Sequence, residues 1–240
     1  MIKENVTITP MGEAALSVSF GHAISPDIQH YVRALGEYLD ANPFTGFKEC
    51  ILSYTAVTVT YDPFVVWKRR GEWDTAAQAV IAAIHTAIDE SSKKQLEPAA
   101  VVSIPVCYGG EYGPDLSYVA SYHDMTPEEV IQIHSDVEYL VYMIGFCPGF
   151  PYMGGLDERI ATPRRKSPRL EIPARSVGIA GQQTGAYPLA TPGGWQLIGR
   201  SAVELFTPEG ATPSLLKSGD RVRFVPISEA EYISLRGDEK

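Results

Sequence analysis

The sequence is short of the residues that would suggest metal, disulfide or membrane chemistry. Its 240 residues include three cysteines, Cys50, Cys107 and Cys147, odd in number and far apart, with no Cys-x-x-Cys and no Cys/His ligand spacing. Neither a disulfide framework nor a metal site is expected, and a reducing, cytoplasmic setting follows. All five histidines, His22, His30, His85, His123 and His134, precede residue 135. The remainder has no imidazole base of its own, so a nucleophile there needs His123 or His134 folded over it. The amino terminus, Met1-Ile2-Lys3-Glu4-Asn5, carries no apolar run before a small-residue cleavage site, and secretion is not expected. Tyr139 to Leu156 is free of charge over 18 residues, but Pro148, Pro151 and four glycines would break a helix in mid-bilayer. Twenty basic against 29 acidic residues give a net charge of -9. That balance repels nucleic acid and anionic membranes.

What is present is a globular composition, 45% hydrophobic and 20% charged, in a chain long enough for two cores. Residues 1–94 alternate strands and helices. Ala14 to Phe20 alternates apolar and polar; Ser25 and Pro26 open a helix carrying Ile28, Val32, Leu35 and Leu39, stopped by Asn42 and Pro43. Phe47 to Leu52 and Val57 to Tyr61 read as strands ended by Asp62 and Pro63, and Trp73 to Glu90 as a helix capped by Asp74. Residues 91–100, polar and proline-containing, read as a linker. Residues 99–240 then open with a strand from Val101 to Val106, a Gly109-Gly110 turn and a helix from Asp115 to Tyr122. Capping boxes stand at Thr126/Glu129 and Ser228/Glu231. From Gly145 to Arg200 there are ten Gly and seven Pro, so no long helix fits. Val177 to Ala180, Trp195 to Ile198, Ala202 to Phe206 and Val222 to Val225 are strand candidates. The fold class is α+β: a small amino-terminal α/β sandwich followed by a closed or sandwich-like β-structure.

Residues 157–225 carry a net +4 and the rest of the chain -13. A locally cationic site in an acidic protein suits a small anion; solvated surface arginines are the alternative. Arg164, Arg165, Lys166, Arg169 and Arg175 are spread by Pro163, Pro168 and Pro173, either as a solvated loop or as a rim that gathers anions. Gly194 to Ser201 approximates a phosphate loop with Arg200 for lysine, yet Trp195 to Ile198 is bulky and β-prone, so Arg200 is kept only as an anion ligand. Cys147 sits among flexible glycines but has no neighbouring base or cation to activate it, and a small buried residue is the simpler reading. His134, at a helix end, reads as a packing or capping residue, with a direct chemical role as the alternative.

Four ordered motifs, IPVCYGGEYGPDL (Ile104 to Leu116), IGFCPGFPYMGGL (Ile144 to Leu156), SVGIAGQQTGAYP (Ser176 to Pro188) and TPGGWQLIGRS (Thr191 to Ser201), resemble the KipI family. That family includes the B subunit of prokaryotic ATP-hydrolysing 5-oxoprolinase and is related to allophanate hydrolase subunit 1 and the urea carboxylase carboxyltransferase domain. The resemblance implies a cyclophilin-like β-barrel for residues 99–240. It implies a homologous C subunit and a separate A subunit as partners, and ATP as co-substrate of the complex. The expected reaction is opening of 5-oxo-L-proline to L-glutamate. Arg164, Arg175 and Arg200 would hold anionic groups, and Gln182, Gln183 and Tyr187 would orient the amide. Gly145, Phe146, Pro148, Gly149, Phe150, Gly193 and Gly194 would shape the wall. Some relatives inhibit a sporulation sensor histidine kinase, so a regulatory module that binds such a kinase is the alternative function. Biotin-linked carboxyl transfer is weaker, since no Ala-Met-Lys-Met acceptor is present.

Overall fold

Apolar alternation and helical periodicity build two separate cores. A computed structural model describes residues 6–93 and 101–237 and divides into two compact units, Met1–Pro98 and Ala99–Lys240. The linker expectation lies, from residue 94 to 100, outside the described residues.

In the first unit, β1 (Thr7–Pro10), β2 (Ala15–Ser19), β3 (Phe47–Leu52) and β4 (Ala56–Tyr61) form an antiparallel sheet in the order β1-β2-β4-β3. Its register sets Leu16 opposite Val59 and Val18 opposite Val57, all fully buried. Onto that face pack α1 (Pro26–Ala41) through Val32, Leu35 and Leu39, and α3 (Ala76–Ser91) through Val80 and Ile84. Each such side chain contributes about 1.5–3 kcal/mol by leaving water. Two helix starts differ from expectation. Asp62 ends the strand but also caps a short helix, α2 (Pro63–Lys68), accepting from the Phe64 and Val65 N–H groups. The next helix is capped by Thr75, not Asp74, because Thr75 and Gln78 close a reciprocal capping box that Asp74 cannot make.

The second unit is a closed barrel of β5 (Val101–Tyr108), β6 (Glu138–Ile144), β7 (Pro151–Gly154), β9 (Ser176–Ala180), β10 (Gln183–Ala186), β12 (Gln196–Ser201) and β13 (Arg221–Ile227), ordered β10-β7-β6-β13-β5-β12-β9. Only β5 and β13 pair in parallel. Two further strands, β8 (Arg169–Ile172) and β11 (Thr191–Gly193), pair outside it. Helices α4 (Leu116–Tyr122), α5 (Pro127–Ser135) and α6 (Glu229–Arg236) flank it, α5 and α6 with the expected capping boxes. The charge-free run from Tyr139 falls on β6, a turn and β7; among the described residues no helix is long and apolar enough to cross a membrane. Ala202 to Phe206 is not a strand. Ser201 Oγ accepts from the Val203 N–H at 3.1 Å and donates to its carbonyl at 3.0 Å, turning the chain out of the sheet while Ala202 and Leu205 fold inward.

Candidate functional site

The loop from Gly145 to Phe150 reverses the chain between β6 and β7. Gly145 N donates to the Phe150 carbonyl at 3.1 Å and Phe150 N to the Cys147 carbonyl at 3.1 Å. Phe146 (φ 67°) and Gly149 (φ 79°) take the left-handed conformation that such a reversal needs. A Cβ on Gly149 would lie 2.8 Å from Phe206 Cβ and 3.0 Å from the Leu205 carbonyl oxygen. Gly149→Ala is therefore expected to cost about 1–3 kcal/mol, from backbone strain and the clash. Urea unfolding checks this; an unchanged midpoint would contradict it.

The reversal points Phe150 inward. Its ring meets Tyr187 at 5.2 Å, Tyr152 at 5.2 Å and Trp195 at 5.8 Å, all edge-on, as ring quadrupoles favour. Phe146 lies over the cluster, 5.5 Å from Phe150. These five rings, with Arg164, Pro192, Gly193 and Gly194, line a cavity of about 300 Å³. Gly193 keeps it open, because a Cβ there would stand 2.4 Å from Ile172 Cδ1 and 3.0 Å from Tyr187 Oη. Burial pushes the Tyr187 phenol up to about 12, against the opposing pull of the Arg164 guanidinium. Tyr187 is thus a neutral O–H donor beside a cation at neutral pH.

No thiolate is available here. Burial raises the Cys147 and Cys107 thiols, and Cys50 is pushed up to about 12; Cys147 is half-buried against the aromatic cluster rather than fully buried as read, and it has no activating partner. His123 and His134 do reach the β-rich block, but each ends on a threonine: His123 Nε2 is 3.1 Å from Thr162 Oγ1, and His134 Nε2 is 2.8 Å from Thr184 Oγ1. His134 is fully buried and its ring stacks on Phe224. That is the packing role rather than the chemical one. Among the described residues no three His, Cys, Asp or Glu side chains gather as metal ligands.

The expected site residues converge only in part. Phe146, Phe150, Arg164, Tyr187, Gly193 and Gly194 line the cavity; Gly145, Pro148 and Gly149 build the turn behind it. Arg175 is drawn away, its Nη1 donating to Glu204 Oε1 at 2.6 Å. Arg236 shares that carboxylate at 2.8 Å. Arg200 points elsewhere, its guanidinium 5.6 Å above the Tyr112 ring. Gln182 is exposed at the β9–β10 turn and Gln183 starts β10, neither lining the cavity.

Three contributors were not singled out for the site from the sequence: Tyr152, Trp195 and Asp115. Asp115 is 5% exposed and makes no cap bond to its helix. Instead Oδ1 accepts from Arg165 Nη1 at 3.0 Å and Arg169 Nη2 at 2.8 Å, and Oδ2 from Arg169 Nη1 at 2.8 Å and the Leu197 N–H at 2.7 Å. It ties the arginine loop to β12 and so fixes where Arg164 stands. The available signal was the arginine run itself, five cations with only Glu171 nearby, which needs a carboxylate from elsewhere in the chain.

Residues 6–216 match the family described as carboxyltransferase domain, subdomain C and D. The chain is 47% identical over 226 residues to the 5-oxoprolinase B subunit of Bacillus subtilis, covering 94% of each chain. It is 41% identical to the 5-oxoprolinase B subunit of Haemophilus influenzae, over 92% of this chain and 97% of that one. The crystal structure of TTHA0988 superposes with a TM-score of 0.76 at 34% identity, covering 89% of this chain but only 40% of that longer one. The closed barrel, the aromatic cavity and these matches over nearly the whole length agree: the chain belongs to the carboxyltransferase subdomain C and D family.

Proposed function

We propose that this chain is the B subunit of a 5-oxoprolinase, which opens 5-oxo-L-proline to L-glutamate with ATP hydrolysis, acting with a homologous C subunit and a separate A subunit. The observation that carries this reading is the ring-walled cavity of about 300 Å³ that sets the Arg164 guanidinium beside the neutral Tyr187 phenol. A small planar lactam bearing one carboxylate matches those features: the ring lies against Phe150 and Trp195, Arg164 takes the carboxylate, and Tyr187 O–H donates to the lactam carbonyl. The 47% identity to a protein of that name over 94% of both chains supports the same reading.

An unstrained lactam resists water, so its carbonyl needs activation. Attack of the lactam oxygen on the γ-phosphorus of ATP forms an O–P bond and releases ADP. Water then adds to the activated carbon, the ring C–N bond breaks as nitrogen takes a proton to leave an acyl phosphate, and a second water displaces phosphate from that carbon to give the free carboxylate of glutamate. The cavity holds no thiolate or imidazole to attack the carbonyl itself, which accords with a site completed by its partners in the complex.

Arg164→Ala, assayed in the reconstituted complex, is expected to raise KM for 5-oxoproline about 10- to 100-fold, the worth of one charge-assisted hydrogen bond. Tyr187→Phe is expected to cost roughly fivefold. Assembly should persist in both, by gel filtration. Wild-type KM in Arg164→Ala would overturn the assignment of the cavity.

A further inference from the structure

An arginine stands where the backbone calls for glycine. Pro173, Ala174, Arg175 and Ser176 form a tight turn, closed by the Ser176 N–H on the Pro173 carbonyl at 3.3 Å, with Ser176 Oγ donating to the same oxygen at 2.7 Å. Arg175 holds the third position with φ of 67°. A turn with positive φ at that position ordinarily takes Gly or Asn, because the left-handed conformation drives a Cβ against the following carbonyl oxygen. Among the described residues, the non-glycine positions with positive φ are Asp124, Phe146 and Arg175. Asp enters this region with little difficulty. Of the other two, Phe146 lines the ring-walled cavity and Arg175 is bonded to a residue that does. Backbone strain of this kind persists only where the surroundings enforce it, and it gathers at functional sites.

The enforcement comes from the side chain. Arg175 Nη1 donates to Glu204 Oε1 at 2.6 Å, and the arginine side chain is 17% exposed. Glu204 is 29 positions along the chain and reaches Arg175 through the turn that follows β12. Ser201 N donates to the Arg175 carbonyl at 2.8 Å, and the Ser201 hydroxyl then bends the chain at Val203 so that Glu204 faces back. At the end of α6, Arg236 Nη1 steadies the same carboxylate oxygen at 2.8 Å. Arg175 is thus held at its guanidinium and at its carbonyl together, which leaves the left-handed backbone no room to relax.

What that backbone presents is its N–H, which donates to the Tyr187 carbonyl at 2.5 Å, while Tyr187 N donates to the Ser176 carbonyl at 2.8 Å. Tyr187 stands one residue past the end of β10 and is followed by Pro188, which has no N–H to continue the ladder. Its two main-chain groups therefore end on Arg175 and Ser176. The phenol has little latitude: its ring meets Phe150 at 5.2 Å and Trp195 at 5.9 Å, and a Cβ on Gly193 would lie 3.0 Å from its oxygen. We propose that Arg175 is a positioning residue, whose ion pair with Glu204 holds a left-handed backbone that seats Tyr187 in the cavity. It acts on the reaction through the tyrosine and not by touching substrate. The consequence for 5-oxoproline rests on the function proposed above; the seating of Tyr187 does not.

The test uses the full chain labelled with ring-fluorinated tyrosine, the Tyr187 resonance being assigned by its loss in Tyr187→Phe. In Arg175→Ala a Cβ remains at positive φ and its anchor is gone, so the Tyr187 resonance should shift or broaden. In Arg175→Gly and Arg175→Asn the backbone accepts this φ unaided, and the resonance should stay at its wild-type position. Glu204→Gln weakens the anchor with Arg175 in place. It should move the resonance in the wild-type chain and not in Arg175→Gly, and it serves as the test if Arg175→Ala does not fold. In the reconstituted complex Arg175→Ala should raise KM for 5-oxoproline by up to about fivefold, the limit set by one lost hydrogen bond from Tyr187. It should add nothing where Tyr187 is already Phe, and Arg175→Gly should recover most of the loss. A resonance unmoved by both Arg175→Ala and Glu204→Gln overturns the proposal. Equal displacement in the alanine and glycine variants also overturns it, since the backbone conformation would then decide nothing. A displaced resonance with wild-type KM would remove the lactam from the cavity and leave the seating of Tyr187 standing.

Discussion

Replacing Asp115 by alanine is expected to cost about 3–5 kcal/mol of stability, the largest loss of any single truncation around the site. The carboxylate is nearly inaccessible, and its oxygens accept four hydrogen bonds, three from two guanidinium groups and one from the Leu197 N–H. Removing it strands that buried N–H, worth about 1–3 kcal/mol, and leaves two cations without their counter-charge. The arginines retain some access to water, 36% and 24% for the side chains of Arg165 and Arg169, so they partly resolvate and the charge penalty falls below that of a fully enclosed pair. Asp115→Asn keeps one acceptor for Leu197 and should cost less, about 2 kcal/mol. Urea unfolding of wild type and both variants gives the order. The loop between Pro163 and Pro168 should loosen in parallel, raising KM for 5-oxoproline even where the variant stays folded. An asparagine variant within ~0.5 kcal/mol of wild type would show that Asp115 organises nothing beyond itself.

The reach of such a residue explains where sequence reasoning succeeds and stops. Local rules were legible: Thr126 with Glu129 and Ser228 with Glu231 start their helices as read, and the alternation around Leu16 and Val57 became paired strands. These depend on neighbours within four residues or on a simple period. The start of α3 was missed by one residue because two adjacent side chains, Asp74 and Thr75, both satisfy the cap preference, and only the reach of Gln78 decides between them. Strands of three or four residues in the Gly/Pro-rich block, β7, β8, β10 and β11, carry too little alternation to be seen.

The site divides along the same line. Its wall-forming turn was visible in glycines and prolines whose conformational demands are local. The fate of each arginine was not. Arg164, Arg175 and Arg200 are alike in sequence, yet Glu204 claims one, the Tyr112 ring another, and only the first faces the cavity. Asp115 meets its partners 50, 54 and 82 positions along the chain. Such pairings arise from barrel closure, and no local pattern encodes them.

Acidification from pH 6.5 to 5 is expected to destabilise the protein through His134. Its Nδ1 lies 2.8 Å from Tyr108 Oη and its Nε2 lies 2.8 Å from Thr184 Oγ1. Thr184 donates its own proton to the Gly178 carbonyl at 3.1 Å. The threonine oxygen must therefore accept from Nε2–H, and Nδ1 must accept from the Tyr108 hydroxyl. Both ring nitrogens are satisfied by the neutral imidazole alone, and a second ring proton would meet a hydroxyl already donating inward. Burial accordingly pushes the His134 pKa down to about 3, against about 6.5 in an unfolded chain. The unfolded state then binds the extra proton first. The stability contributed by this group is complete above pH 6.5 and is lost as pH falls towards 3, by up to about 1.4 kcal/mol per pH unit. Asp157, Glu129 and Glu231, whose carboxyls are lowered by hydrogen bonds, stay ionised in the folded state through the upper part of this window, and carboxylates of the unfolded chain are also ionised there. Between pH 6.5 and 5 the slope belongs chiefly to His134. Urea midpoints of wild type and His134→Gln at the two pH values isolate it: the variant should be weaker at pH 7, from the disturbed network, yet lose less on acidification. Parallel losses in the two proteins would show that the imidazole does not set the acid response of the barrel.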